Sequence, residues 1–224
     1  AYAGNGLVDS EMDWEVDDDN GNPVIGKLKI RGVYQSSEYD DVFFTDLAVK
    51  IGPGPWESFC KDAYDNDVEA IAIPGYFNPA DASWHDDSSA IAFACRGTAA
   101  GKCVEWGYRM WATHGGASLA DYYRACTRMV RADYCGNGVS HTVNGNPIDV
   151  SDAAGVQTPE TNWPVEAKWG PDGAVCLNTP RRQAWSREVV IAECQAAGRG
   201  TIPTCTNNDP SEYGGLVMTQ ANAL

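Results

Sequence analysis

The stretch from Ser118 to Ala154, SLADYYRACTRMVRADYCGNGVSHTVNGNPIDVSDAA, joins a strong helix pattern to a loop rich in glycine. Ser118 is placed to cap the helix, and Asp121 three residues later completes a capping box. Gly136 or Gly138 can supply the left-handed exit, so the pattern predicts a helix that ends near residues 134–136. Side chains at spacings of three and four form one apolar stripe: Leu119, Tyr122, Tyr123, Cys126, Met129 and Val130.

The tetrapeptide Ala132 to Cys135 lies at the end of this helix. The run around it, RMVRADYCGNGVSHTVNGNPIDVSDAAGVQ, resembles the signature of the bacterial ADYC domain family. Three further blocks fit the family in the same order: CVEWGYRMW from Cys103, ACTRMV from Ala125 and EAKWGPDGAVCLNTPR from Glu166. The resemblance covers residues 95–182. It implies an exported bacterial protein and no particular activity.

Composition restricts the partners of the chain. Its 224 residues suffice for a core in one domain or two closely packed ones. The formal net charge is −15, which argues against nucleic acid and anionic membrane as partners because both bind basic surfaces. No apolar run approaches the roughly twenty residues of a membrane span. The chain begins with Ala and shows no signal peptide, so we expect a processed mature form.

The cysteines predict the compartment. There are eight, with no Cys-x-x-Cys pair, so an oxidising environment and four disulfides are expected. We therefore expect a protein outside the cytoplasm, either secreted or on the cell surface. Local geometry favours Cys95 with Cys103 across an Ala-Ala-Gly turn, and Cys194 with Cys205 across a Gly/Pro loop. The sequence leaves the partners of the other four open: Cys60, Cys126, Cys135 and Cys176.

The periodic runs predict an α+β fold, mainly of antiparallel strands with two principal helices and stabilised by disulfides. The second helix is expected from Ser186 to about Ala197. A shorter helix is expected near residues 56–64, and a hairpin is expected around the turn at residues 170–173. Strands are predicted at residues 24–25, 27–30, 33–34, 42–51, 68–73, 90–95, 103–111, 165–169, 174–177 and 216–218.

The motifs divide the chain into three regions. Residues 1–94 form a β-rich region, and residues 95–182 form the ADYC-like domain. Residues 183–224 hold a helix and a tail, which we expect to form one compact unit with the ADYC-like domain.

Cys135 and His141 are the first candidates for chemistry. With Asp133 they offer a nucleophile, a base and an orienting carboxylate. An oxidising compartment and an even cysteine count instead favour a structural disulfide at Cys135. In that interpretation His141 is a hydrogen-bonded loop residue, and Asp133 and Asp149 accept hydrogen bonds from loop amides.

Metal binding is the second candidate. The acids Asp17, Asp18 and Asp19 are candidate calcium ligands, although their loop fails the EF-hand template. The run from His85 to Asp87 offers ligands for zinc or manganese. The expectation is that the protein holds no cofactor, with calcium as the one alternative, and a solvated turn is the simpler interpretation of the acidic run.

Two functions follow from these features. The first is an exported binding or structural protein of the cell surface or extracellular space, with a homo-oligomer or a surface assembly as its partner. Self-assembly would use edge strands or the polar N-terminal segment. The alternative is a secreted hydrolase of envelope or extracellular polymer. It would use His141 with Cys135, or a carboxylate pair that includes Glu105 or Glu166.

Overall fold

The computed structural model describes residues 5–17, 23–78, 80–81, 83–87 and 89–222. Of the candidate calcium ligands, Asp18 and Asp19 lie outside this part of the chain, and Asp17 is the last residue of a strand. The chain contacts group into two compact units. Unit 1 comprises residues 1–74 and 88–101, and unit 2 comprises residues 75–87 and 102–224. The division at residues 94 and 182 follows sequence motifs and stays a prediction.

The described residues form three α-helices and fourteen β-strands. The helices are α1 (Ala99–Glu105), α2 (Ala120–Arg131) and α3 (Arg187–Ala196). The strands are β1 (Glu11–Asp17), β2 (Pro23–Gln35), β3 (Phe43–Ile51), β4 (Glu57–Ser58), β5 (Ala70–Pro74), β6 (Tyr76–Phe77), β7 (Trp84–His85), β8 (Ile91–Cys95), β9 (Thr113–His114), β10 (Ala117–Ser118), β11 (Asp149–Asp152), β12 (Val165–Gly170), β13 (Gly173–Leu177) and β14 (Val217–Gln220). All strand pairs are antiparallel, which confirms the α+β prediction. None of the described helices has the length and apolar character that a membrane crossing requires.

Unit 1 is a six-stranded sheet in the order β1-β2-β3-β5-β8, with β4 paired to β3. Along β2 the side chains of Leu28 and Ile30 are buried while Lys27 is exposed, as a half-buried strand requires. This strand runs without a break through Gly26, where three shorter strands were predicted. Trp14 occupies the space that a side chain at position 26 would need, so glycine serves packing and does not end the strand.

Two predicted secondary-structure elements are wrong, one within unit 1 and one just after the end of unit 1. A helix was predicted near residues 56–64, but β4 lies there and pairs with β3. A strand was predicted for residues 103–111, but α1 continues to Glu105 and a turn follows, with Gly107 in the left-handed region at φ 95°. The alternation of apolar residues after Cys103 therefore does not reflect a sheet. Cys103 is instead fixed by a disulfide to Cys126 of α2.

Unit 2 is organised around a four-stranded sheet in the order β11-β14-β12-β13. Helix α2 packs against β12, β13 and β14 through its apolar stripe, and Tyr123, Cys126 and Met129 on that stripe are fully buried. The predicted hairpin is confirmed as β12 and β13. Helix α3 begins as predicted, since the Ser186 side chain accepts a hydrogen bond from the amide of Val189.

All eight cysteines form disulfides, as predicted from their number. Both predicted local pairs are wrong, however. Turns of a few residues suggested them, whereas every actual bond joins elements separated by at least 23 positions. The bonds are Cys60–Cys95 in unit 1, and Cys103–Cys126, Cys135–Cys194 and Cys176–Cys205 in unit 2.

Candidate functional site

The exit of α2 is stabilised by a buried aspartate. Ala132 ends the helix in the left-handed conformation at φ 50°, a position predicted for a glycine. The carboxylate of Asp133 then accepts hydrogen bonds from the amides of Asn137 at 3.1 Å and Gly138 at 3.0 Å, which confirms its predicted role. The guanidinium of Arg128 binds the same carboxylate at 2.6 Å. Asp133 is therefore a structural anchor of the loop.

His141 is a buried clamp between this loop and α3. Its side chain is fully buried; Nδ1 lies 3.1 Å from the carbonyl oxygen of Ala132, and Nε2 lies 2.9 Å from a carboxylate oxygen of Glu193. The ring also packs against Tyr134 and Trp185. Both ring nitrogens are occupied and the side chain is shielded from solvent, so the geometry is that of a structural histidine.

Cys135 is bonded to Cys194, which gives the sulfur no thiolate to act as a nucleophile. The structure thus brings Asp133, Cys135 and His141 into one region but engages each of them in a structural contact. The hydrolase alternative loses its first set of residues.

A buried ionic network ties the sheet of unit 2 to α2. One carboxylate oxygen of Glu166 accepts hydrogen bonds from the hydroxyl of Tyr134 at 2.6 Å and from Arg181 at 2.8 Å. Arg181 also donates to the carbonyl of Met129 near the end of α2. Burial, together with the charge of Glu166, raises the pKa of Tyr134, so this hydroxyl stays a donor. Glu166 is almost fully buried, so it does not face an open cleft.

The metal candidates are not assembled into one site among the described residues. Asp86 is occupied by Arg124 at 2.7 Å and by the indole of Trp84 at 3.0 Å. The ring of His85 stacks on Tyr76. One described group has the spacing of metal ligands, namely Cys176, Cys205 and Glu212, but its two sulfurs form a disulfide.

A cleft of about 340 Å³ lies beside the β11 edge of the unit 2 sheet. Sequence reasoning missed it, because DVSD at β11 has the composition of a loop and yet all four residues are buried in a strand. The cleft is lined by Ser151, Asp152, Gly155, Gln157, Thr158, Pro159, Thr161, Asn162, Asn208, Pro210, Met218 and Gln220.

The first wall of the cleft is held by two aspartates of β11. Asp152 accepts hydrogen bonds from the amides of Ala154, Val156 and Gln157 and from the hydroxyl of Tyr108. Asp149 accepts from the amides of residues 160 and 161, which confirms the role predicted for it. The segment 154–161 is therefore fixed to the sheet through charge-assisted hydrogen bonds.

The second wall is held by Lys168 of β12. This side chain is fully buried, and its ammonium forms an ion pair with Glu212 and a hydrogen bond to Asn207 at 2.9 Å. Glu212 in turn accepts hydrogen bonds from the amide and hydroxyl of Thr206. Segment 206–212, which contributes Asn208 and Pro210 to the lining, is thus tied to the middle of the sheet.

The floor of the cleft comes from β11 and β14. Ser151 pairs with Met218 across these strands, and Gln220 lies two residues further along β14 on the same face. Gln220 donates its amide nitrogen to the carbonyl of Trp163 at 2.6 Å, and this leaves its carbonyl oxygen as an acceptor. The Ser151 hydroxyl is buried and has no hydrogen-bond partner within the described residues.

Acid is expected to loosen both walls of the cleft. Desolvation acts to raise the pKa of Glu212, but hydrogen bonds from Lys168 and Thr206 outweigh it and lower the pKa from 4.5 to about 2. The pKa of Asp149 is also lowered, because hydrogen bonds from Thr161 and neighbouring amides outweigh its desolvation. A lowered carboxyl pKa stabilises the fold above the unfolded-state value, so this contribution is lost between about pH 4.5 and 2.

Urea denaturation at a series of pH values measures this loss. The variant Glu212→Gln is the matched comparison: it is expected to be less stable at pH 7, because Lys168 stays buried without its partner charge. Its stability should fall less on acidification than that of the parent chain. An equal acid response in both chains would contradict the role of Glu212.

These features define a disulfide-stabilised α+β protein with a structural Cys–His region and a separate cleft. The model of the ADYC domain matches residues 4–183, so the chain belongs to the ADYC domain family. The match begins far before residue 95, and the N-terminal strands therefore belong to the family region as well. Comparisons with curated proteins and with solved structures give no match.

Proposed function

We propose that this ADYC-domain protein works outside the cytoplasm, secreted or at the cell surface, as a binding protein. The observation that carries the proposal is the use of all eight cysteines in disulfides. Such a set persists in oxidising compartments and is rare where glutathione and thioredoxin keep thiols reduced. An acidic surface with a net charge of −15 suits solubility there.

Binding is favoured over catalysis because the candidate catalytic residues are engaged in structural contacts. Cys135 is in a disulfide, and both nitrogens of His141 are engaged in a buried site. Glu166 holds Arg181 within the same buried region. Polar groups that face solvent together are found instead in the cleft beside β11, which has the walls and floor of a recognition site.

Self-assembly receives less support than binding. Within the described residues β1 is an edge strand of the unit 1 sheet, and it exposes Glu11 and Asp13. Charge on an edge strand opposes pairing with a second copy. The proposal is therefore a binding protein that recognises a ligand and does not polymerise through this edge.

The proposal is tested by fractionation of the native cells and alkylation of the protein that is recovered. We expect the chain in the medium or envelope fraction, with no added alkyl groups until a reductant is supplied and eight afterwards. The unreduced and reduced samples from one preparation control for incomplete labelling. Recovery from the cytoplasm with thiols that react without reduction would overturn the proposal.

A further inference from the structure

We propose that the cleft beside β11 binds an uncharged, hydroxyl-rich small molecule, that is, a neutral sugar or a sugar unit of a larger glycan. The inference rests on the proposed binding function and names its site and ligand class. The volume of the cleft, about 340 Å³, is at the small end of the range of about 300–1,000 Å³ that is usual for ligand pockets.

The unmet hydroxyl of Ser151 points to a ligand. Ser151 is 6% exposed, and its hydroxyl has no partner within the described residues. Buried polar groups nearly always have hydrogen-bond partners, and one without a partner carries a desolvation cost. A ligand hydroxyl in the cleft would remove that cost, because hydroxyls both donate and accept.

Apart from Asp152, the other polar groups of the lining are neutral. Gln157 is held through its amide nitrogen, which donates to the carbonyl of Trp106 at 2.7 Å, and its carbonyl oxygen remains an acceptor. Gln220 is held in the same way by Trp163. Exposed amides of Asn162 and Asn208 add donors and acceptors on opposite walls. Such a mixed set matches the hydroxyls of a sugar, each of which both donates and accepts hydrogen bonds.

Charged ligands fit the cleft poorly. No Lys, Arg or His is among its described lining residues, and the chain carries a net charge of −15, so an anion would find no counter-charge. A cation would need free carboxylate oxygens, but Asp152 already accepts four hydrogen bonds. This fills about all of its lone-pair sites. The Asp152 carboxylate is therefore engaged in fixing the first wall and offers no free oxygen to a cation.

Apolar contacts complete the fit. Met218 lies on the floor, and Pro159 and Pro210 lie on the two walls. Sugar rings present C–H groups between their hydroxyls, and these pack against such surfaces. The walls are held to the sheet by buried charges, which keeps the lining groups in place before a ligand arrives.

The experiment is a titration of the full chain with a panel of neutral mono- and disaccharides. Binding is measured by amide chemical-shift changes in NMR and by calorimetry. Glucuronate and glucosamine serve as anionic and cationic probes of similar shape. We expect saturable binding of a neutral sugar at concentrations up to about 10 mM, with shifts concentrated at Ser151, Gln157 and Gln220.

The variant Ser151→Ala should weaken that binding about three- to tenfold, the usual worth of one neutral hydrogen bond. It should fold normally, since it removes a hydroxyl that has no partner in the free protein. Ser37→Ala, an exposed position in unit 1, is the matched control and should bind like the parent chain.

No saturable binding across the panel would overturn the inference. Preference for a charged probe would also overturn it, as would shifts away from the cleft or an unchanged affinity in Ser151→Ala. Failure of the proposed function is distinguishable from failure of sugar binding. It would appear as reduced thiols and recovery from the cytoplasm, independently of the result of the sugar titration.

Discussion

Replacing Arg181 with methionine is expected to destabilise the protein by about 3–5 kcal/mol. Its guanidinium is nearly fully buried and lies 2.8 Å from the equally buried carboxylate of Glu166. Loss of the cation leaves that carboxylate in a low-dielectric interior without compensation, and this cost is typical of a broken buried ion pair. The variant also loses the hydrogen bond that Arg181 donates to the carbonyl of Met129. Guanidinium denaturation at pH 7 measures the change.

Two further variants isolate the charge effect. Adding Glu166→Gln to Arg181→Met should recover part of the lost stability, because glutamine removes the stranded charge and still accepts the hydroxyl of Tyr134. Arg124→Met breaks a partly exposed pair between α2 and Asp86, and it should cost only about 0–1 kcal/mol. If Arg181→Met alone and the double variant were equally unstable, the stranded carboxylate would not be the cause.

The elements that the sequence predicts best are those whose local pattern and tertiary packing agree. The stripe of α2, the serine cap of α3 and the β12–β13 hairpin all appear where they were expected. In each case one face of the element is buried by its neighbours in the same compact unit. Local periodicity then reports the burial directly.

The errors come from contacts between distant positions. The disulfide partners of Cys95 and Cys103 are Cys60 and Cys126, which sheet pairing and helix packing bring near them. A short turn between two cysteines predicts a disulfide only when the turn closes a hairpin that places the two residues opposite each other. The strand predicted for residues 103–111 fails for a local reason, since its alternation coincides with the last turn of α1 and the exit at Gly107.

The cleft was not predictable from the sequence because its residues come together only when distant strands pair. Asp149 was predicted to accept hydrogen bonds from loop amides, but no local signal among the 31 acidic side chains indicates that it and Asp152 are buried. Their distinction is burial, which arises when β11 pairs with the distant β14. Ser151 between them becomes a buried hydroxyl for the same reason. By contrast, the Cys135 and His141 region was predicted as structural, because cysteine count and compartment bear on it directly.

Removing the Cys135–Cys194 disulfide is expected to cost about 4 kcal/mol. The bond spans 59 positions, and the chain-entropy model assigns about 3 kcal/mol to a 15-residue loop and about 4.7 to a 100-residue loop. Cys135→Ala with Cys194→Ala is the appropriate pair, because both positions are buried and alanine adds no unpaired hydroxyl. The loss frees α3 from the exit of α2, where His141 and Glu193 meet. Thermal and urea unfolding measure it.

The bond between Cys103 and Cys126 provides the matched comparison within unit 2. It spans only 23 positions, so the same double alanine replacement there should cost less, about 3.4 kcal/mol. Loop entropy acts on the unfolded chain, so the order of the two losses follows from loop length if both variants keep the native fold. A larger loss at the shorter loop would show that packing around the sulfurs, not the constraint on the unfolded chain, carries the stabilisation. Equal stability of the parent chain with and without reductant would contradict a stabilising role for any of the four bonds.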